Sequence, residues 1–421
     1  MKENLFEYIK YNNSSRSELL DLVKFNISEK VYYYGEHFNK EKAKPKIFFY
    51  IKYFLILIYT RIINFRQRNY NVKNSGLSST YHNFDSELEK KGFRTLRLPN
   101  APKKGKITFG NLSFFLRTIE IQKDFIYEDY NYLISENFLI KVENYFIQII
   151  DLIKNNNLKF LLITNDNDFF SRVYLKAFKK SKIPTFIIAH GGMPTMFDKI
   201  MDNGSDYITM WGNKQIESFV KAGYEKSKFF NSGHPFYNKV PKNLRFGLKN
   251  VLILTKSING VCPLDKPHLE DRGNIIMYLY SIENTLKKVG VENVLLRPHP
   301  SENPDWYLKF INKKFFKIDY KNLKESLTKS SLVIGPASTT FIDALAYGVN
   351  YLIYEPIIND KLITGFPIRP PLDDSDNRIP VARDENQLYE MLIKKNKVDI
   401  SVYKDFANPK FDLSFFDKII R

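Results

Sequence analysis

The sequence predicts an α/β protein built from two doubly wound halves with a helical N-terminal extension. Three observations carry that prediction. Short apolar runs recur in two series: Phe160-Leu161-Leu162-Ile163, Thr185-Phe186-Ile187-Ile188-Ala189 and Tyr207-Ile208-Thr209-Met210, then Val251-Leu252-Ile253-Leu254, Val294-Leu295-Leu296, Phe316-Lys317-Ile318, Leu332-Val333-Ile334 and Tyr351-Leu352-Ile353-Tyr354. Stretches of helical periodicity separate the runs, the alternation that a parallel sheet wrapped by helices requires. Between the two series, Pro235 to Lys249 reads as a linker, with Pro235, Pro241 and Gly247 set among basic residues.

The bulk numbers agree. A chain of 421 residues is too long for one ordinary core. With 43% hydrophobic and 26% charged residues it is globular rather than disordered. A single cysteine, Cys262, excludes a disulfide framework and a thiolate zinc cluster, which fits a reducing compartment. Lys and Arg total 64 against 46 Asp and Glu, a net charge of +18 that suits an anionic surface or an acidic substrate. No alternation of aromatic and basic residues, zinc finger or basic zipper appears, so nucleic acid is not the expected partner. Part of the charge reflects a general richness in lysine.

Taken in order, residues 1–75 read as mostly helical and rich in aromatics. No secretory signal opens the chain. Ile47 to Phe65 is nearly long enough to span a bilayer, but Lys52 and Arg61 interrupt it. Lysines and arginines flank it over residues 40–73, so the expectation is a buried helix first, then an interfacial one that meets anionic headgroups, and last a true span. Residues 76–125 read as turn-rich, with Pro99-Asn100-Ala101-Pro102 as a breaker. Leu139, Ile140, Val142, Phe146, Ile149 and Ile150 predict a long amphipathic helix over Glu136 to Asn155. Further helices are expected after Asp168, over Thr339 to Tyr347, and over Asn386 to Lys395.

Two strand-to-loop junctions carry the chemistry. Arg297-Pro298-His299-Pro300 ends one apolar run; Pro300 restricts His299 to extended backbone and fixes the imidazole at a loop mouth. Gly335-Pro336-Ala337-Ser338-Thr339-Thr340 ends another, with hydroxyls where a helix begins. Serine and threonine are ordinary N-caps there, but a helix start is also an anion site. Lys256 and Ser257 open the loop after the first strand of the second half, and Glu355 ends the strand after the Ser338 helix. Arg297, His299, Ser338, Thr339, Thr340, Lys256 and Ser257 read as candidate contacts to a donor's charged groups, and Glu355, by resemblance to related architectures, to a ribose or sugar hydroxyl. In the first half, Asp166, His190 and Asp168, in that order, are candidate bases, since each follows a strand. The competing reading of Asp166 and Asp168 is helix capping. Asp166-Asn167-Asp168 is an Asp-X-Asp, but hard oxygen ligands without companions do not make a metal site, and none is expected.

The order His190-Gly191, Trp211-Gly212, Gly233-His234-Pro235, Arg297-Pro298-His299-Pro300, Gly335-Pro336-Ala337-Ser338-Thr339 and Ala346-Tyr347-Gly348 resembles bacterial surface and capsular polysaccharide glycosyltransferases of the GT-B architecture. It is most similar to sialyltransferases and Kdo transferases that use CMP-activated acidic sugars. That resemblance spans residues 160–360. It implies two Rossmann-like domains, with His299 and the Ser338-Thr339 pair on the donor nucleotide. The Asp/Glu-Asp/Glu-Gly element that houses the base in sialyltransferases is not present as such. CDP-glycerol glycerophosphotransferases share the layout, but they carry an acidic element where this chain has Gly335-Pro336-Ala337-Ser338.

The expectation is therefore a metal-independent glycosyltransferase that uses no cofactor besides its nucleotide-sugar donor, preferably a CMP-linked acidic sugar. A UDP-sugar enzyme, a CDP-polyol phosphotransferase and a glycan- or membrane-binding scaffold are the alternatives. Residues 1–240 would form the acceptor domain, 241–395 the donor domain, and 396–421 a tail returning to the first domain. Arg297, His299, Ser338, Thr339, Thr340, Lys256, Ser257 and Glu355 would hold the donor, and Asp166, His190, Asp168 and His299 would act on the reacting groups. The acceptor would be a glycan, free or lipid-linked, and the setting cytoplasmic, at the inner face of the membrane through residues 40–73.

Overall fold

The computed structural model describes residues 16–34, 55, 58, 74–80, 84–103, 106–166, 168–189, 204–256, 273–299, 307–358, 360–364, 368 and 370–420. Helix α1 (Ser17–Tyr34) precedes a first series of elements: β1 (Ser75–Ser78), α2 (Phe84–Lys90), β2 (Arg94–Arg97), α3 (Leu112–Tyr127), α4 (Tyr130–Leu133), α5 (Glu136–Asn155), β3 (Phe160–Ile163), α6 (Phe169–Lys180), β4 (Thr185–Ile188), β5 (Tyr207–Met210), α7 (Asn213–Lys221) and β6 (Phe229–Asn231). The second series is β7 (Val251–Leu254), α8 (Asn274–Lys288), β8 (Val294–Arg297), β9 (Phe316–Ile318), α9 (Leu323–Lys329), β10 (Leu332–Gly335), α10 (Thr340–Ala346), β11 (Tyr351–Tyr354), the small hairpin β12 (Ile357–Ile358) and β13 (Lys361–Leu362), β14 (Val381–Ala382) and α11 (Glu385–Ile393). Helices α12 (Tyr403–Phe406) and α13 (Ser414–Ile420) end the chain.

The strands form two six-stranded sheets, ordered β2-β1-β3-β4-β5-β6 and β14-β11-β10-β7-β8-β9. Every pairing within them is parallel. Read outward from β7, the second sheet has the doubly wound order 3-2-1-4-5-6, whose direction reverses between β7 and β10. In the first sheet the reversal lies between β1 and β3. At such a reversal neighbouring loops part, and the strand ends open a crevice.

Strands β3, β7 and β11 are continuous apolar sequence because both sheet faces are covered. Phe160–Ile163, Val251–Leu254 and Tyr351–Tyr354 are buried throughout. The long helix α5 follows its periodicity, burying Phe138, Leu139, Val142, Tyr145, Phe146, Ile149 and Ile153, and Ser135 caps its start through the Phe138 N–H.

The turn-rich reading of residues 76–125 is corrected. This stretch holds most of β1, all of β2 and helices α2 and α3. Ser75-Gly76-Leu77-Ser78 has one large apolar residue, yet it pairs on both sides. The Phe160 ring takes the space that a Cβ on Gly76 would need, so a neighbouring strand supplies the apolar mass that β1 lacks. At the ends of β1 and β2 a buried polar cluster forms. Asp85 accepts from Ser78 Oγ (2.5 Å), Thr80 Oγ1 (3.1 Å) and Arg97 Nη1 (2.8 Å), and Arg97 Nε donates to the Ala101 carbonyl (3.1 Å). A buried ion pair persists only when satisfied in this way.

The chain end crosses back to the first half. Asn408 N–H donates to the Trp211 carbonyl (2.6 Å) and Asp412 N–H to that of Ser232 (2.9 Å). Phe416 on α13 then packs against Phe93, Phe160 and Phe186, with ring centroids 4.7–5.0 Å away. The apolar segment Ile47 to Phe65 lies outside the described residues except at positions 55 and 58. Among the described residues no helix is long and apolar enough to cross a membrane.

Candidate functional site

The C-terminal ends of β11, β10, β7 and β8, four neighbours in the second sheet, bring Glu355, the Gly335–Thr340 loop, Lys256 and His299 to one edge. That edge spans the β7/β10 reversal, where this sheet order opens its crevice.

The loop between β10 and α10 is held from below. Glu355 is fully buried; one carboxylate oxygen accepts the Ala337 N–H (2.8 Å) and the other accepts the Thr364 hydroxyl. Tyr351, also fully buried, donates to the Pro336 carbonyl (2.7 Å). A Cβ on Gly335 would collide with the Tyr351 hydroxyl and lie 3.0 Å from Leu254 Cβ, so glycine is required by packing. Ser338, Thr339 and Thr340 are half-buried on top of this support. Thr339 begins α10 without capping it through its hydroxyl.

Charge concentrates beside the loop. Lys256, half-buried after β7, has its ammonium pulled below the ordinary lysine range by burial, which Glu355 opposes. Glu355 is pushed up by burial and drawn back by Lys256, Thr364, Ala337 and Arg383. His299 sits on the mouth, exposed; the buried part of its ring, and then Lys256, hold its pKa below the ordinary imidazole value. Its backbone N–H donates to Thr255 Oγ1 (3.0 Å), which fixes the His299 loop to the end of β7. Lys256 thus feels both Glu355 and His299, and the three form one electrostatic unit.

Other candidates take different positions. Arg297 turns toward the outer strand, where Nη1 donates to Asp319 Oδ2 (3.1 Å) and to the Lys321 carbonyl (2.6 Å); it secures the turn after β9. Ser257 and His190 lie outside the described residues. In the first sheet, Asp168 caps α6, accepting from Ser171 N–H (3.0 Å) and Ser171 Oγ (2.7 Å) with its two oxygens. Asp166 is buried beyond the end of β3 and interacts electrostatically with Arg172. Among the described residues no three His, Cys, Asp or Glu side chains group as metal ligands.

The sequence reading missed Thr255, Thr364 and Tyr351. Thr255 follows β7 directly and could have been found as the last residue of a strand end. Thr364 reaches Glu355 across the β12–β13 hairpin, and nothing in its local sequence marks it. A second group, around Trp211 and His234, joins the two halves. Trp211 Nε1 donates to the Ala189 carbonyl (2.9 Å), and Trp211 packs at a tilt against His234 and Tyr237, with ring centroids 4.6 and 4.9 Å away. Tyr237 then donates to Asp343 of α10 (2.6 Å). Burial raises the Asp343 carboxyl, which Tyr237 opposes.

No protein-family model matches the chain, and no curated protein matches it in sequence. Among solved structures it is similar to UDP-GlcNAc 2-epimerase from Methanocaldococcus jannaschii in complex with UDP-GlcNAc and UDP, at 12% identity over 82% of this chain and 98% of that one, with a TM-score of 0.50. MurG from Acinetobacter baumannii aligns at 12% identity over 82% and 99%, with a TM-score of 0.43. The lipopolysaccharide outer core galactosyltransferase WaaB aligns at 11% over 82% and 98%, with a TM-score of 0.44. At these identities the likeness is one of fold. With its two doubly wound parallel sheets in chain order, the protein has the α/β GT-B architecture of two Rossmann-like domains.

Proposed function

We propose that this protein is a glycosyltransferase that takes a sugar from a pyrimidine-nucleotide donor and passes it to a glycan. The supporting observation is the convergence of Lys256, His299 and the Glu355-anchored Ser338–Thr340 loop on four adjacent strand ends. An ammonium, an imidazole and hydroxyls on a fixed loop suit the phosphate of a leaving nucleotide. In the reaction, an acceptor hydroxyl attacks the anomeric carbon, the bond from that carbon to the donor phosphate breaks, and the hydroxyl proton passes to a base. Lys256 and His299 meet the charge released on the phosphate, in place of a metal ion. Of the two aspartates after β3, Asp168 caps α6, and we assign the base role to Asp166; His190 is the alternative.

Two donors fit this chemistry. The motif resemblance favours a CMP-linked acidic sugar. The fold similarity is to a protein solved with UDP-GlcNAc and UDP, which favours UDP. Thermal denaturation with CMP, UDP and GDP decides: a ligand at about 100 times its Kd adds about 2.7 kcal/mol, a shift of several degrees. Stabilisation by GDP alone, or by none, would refute a pyrimidine site.

That same similarity supports a second reading, a UDP-sugar epimerase. Incubation with UDP-GlcNAc and no acceptor separates the two: an epimerase yields a second UDP-sugar, a transferase none. The proposed setting is the cytoplasmic face of a membrane, with a lipid-linked or growing surface glycan as acceptor.

A further inference from the structure

We propose that the outer edge of the second sheet docks on an anionic lipid surface. Strand β9 is the last strand of that sheet and pairs on one side only, with β8. Around it, Lys309, Lys313, Lys314, Lys317, Lys321, Lys324 and Lys329 are all exposed. None of the seven forms an ion pair among the described residues, whereas Lys90, Lys106, Lys141, Lys176, Lys214, Lys287 and Lys394 elsewhere all do. The same stretch offers two carboxylates. Asp319 is buried against Arg297 and the Ser326 hydroxyl, which leaves Glu325 as the exposed one. The described residues of this stretch therefore expose seven lysines against one carboxylate.

Lysines commonly guard an edge strand against pairing with another sheet. That role explains Lys317, but not lysines carried on through α9, nor the aromatics beside them. Tyr320 is 89% exposed and Phe310 67%, the two highest values among large hydrophobic side chains of the described residues. Rings so exposed project from the surface rather than line a cleft among the described residues. Such a ring suits entry into a soft interface, where aromatic side chains collect at headgroup depth while lysines meet the phosphates. A polyanionic chain would instead call for a groove. Arg297 holds the Tyr320–Lys321 turn through Asp319 and the Lys321 carbonyl, so the display is fixed. This edge lies one strand from His299 and would bring the candidate site to the membrane.

The proposal does not depend on the donor reading or on residues 40–73. Its test uses the full chain with vesicles of phosphatidylcholine alone or mixed with phosphatidylglycerol. One variant changes Lys313, Lys314, Lys317 and Lys321 to Gln. A control changes the exposed Lys239, Lys242, Lys395 and Lys397 to Gln, an equal loss of charge elsewhere. Binding to the mixed vesicles should fall at least about tenfold in the first variant and at most about twofold in the control. Tyr320→Trp should shift its fluorescence to the blue on vesicle addition. All these positions are exposed, so thermal midpoints should hold. Equal losses in the two variants, binding that the edge variant leaves intact, or equal binding to neutral vesicles would overturn the proposal. Capture by heparin without vesicle binding would assign the edge to a soluble polyanion and overturn it equally.

Discussion

Burial, and then Lys256, depress the positive charge of His299, and the sign of that effect sets a pH dependence. The folded-state pKa of His299 lies below its unfolded value near 6.5, so the unfolded chain binds more protons. Stability is therefore retained above pH 6.5 and lost as pH falls through the window below it. His299→Gln should flatten that acid limb in denaturation curves measured from pH 7 to pH 5, and Lys256→Gln should raise the titration midpoint of the His299 ring seen by NMR. A nucleotide phosphate favours the imidazolium, so affinity should strengthen as pH falls in the same window. His299→Ala should cut turnover by about a hundredfold or more at an unchanged thermal midpoint. Glu355 gives a second contrast. Glu355→Ala strands a buried N–H of Ala337 and leaves a cavity, a cost of about 3 kcal/mol in urea titrations. Glu355→Gln keeps an acceptor for Ala337 and should cost much less. A Gln variant as unstable as the Ala variant would mean that the charge, not the hydrogen bond, holds the loop.

Among the elements, strands that satisfy themselves were legible and strands completed by neighbours were not. Phe160–Ile163 and Val251–Leu254 bury their own side chains on both faces, so their composition announces them. Strand β1 does not, because Phe160 fills the space above Gly76. Strand β14 is two residues long, too short for any period to appear. Helix α5 was legible to its ends, since periodicity and the Ser135 cap both mark it. Gly212 tests how elements from distant sequence depend on each other. A Cβ there meets the backbone of Asp405 and Phe406, which cannot swing aside as a flexible side chain would. Gly212→Ala should therefore lower the thermal midpoint by several degrees and raise protease sensitivity of the C-terminal segment. An unchanged midpoint would show that the crossing segment shifts freely.

At the scale of the whole molecule, the return of the chain end to the first sheet ties the two halves beyond the linker, beside the Tyr237–Asp343 contact. Phe416 sits among Phe93, Phe160 and Phe186, fully enclosed. Phe416→Ala should cost about 3–5 kcal/mol. Because α13 packs on the first domain, first-domain unfolding should carry most of that loss, as hydrogen exchange can resolve. Loss spread evenly over both sheets would argue that they unfold as a single unit.

By itself the sequence determined the architecture: two series of short apolar runs, separated by helical stretches and divided by a proline-punctuated linker, have few solutions other than two parallel sheets. It also determined that His299, Lys256, Glu355 and the Ser338 loop share an edge, because each directly follows a strand and parallel strands end on the same side. Which of these groups face one another was decided only in three dimensions. Strand order, set by pairing between distant segments, put Lys256 within the fields of both His299 and Glu355. It sent Arg297 outward to Asp319 and closed Glu355 beneath the loop with Thr364. A side chain's direction and partners depend on neighbours supplied by packing, and local composition does not encode them.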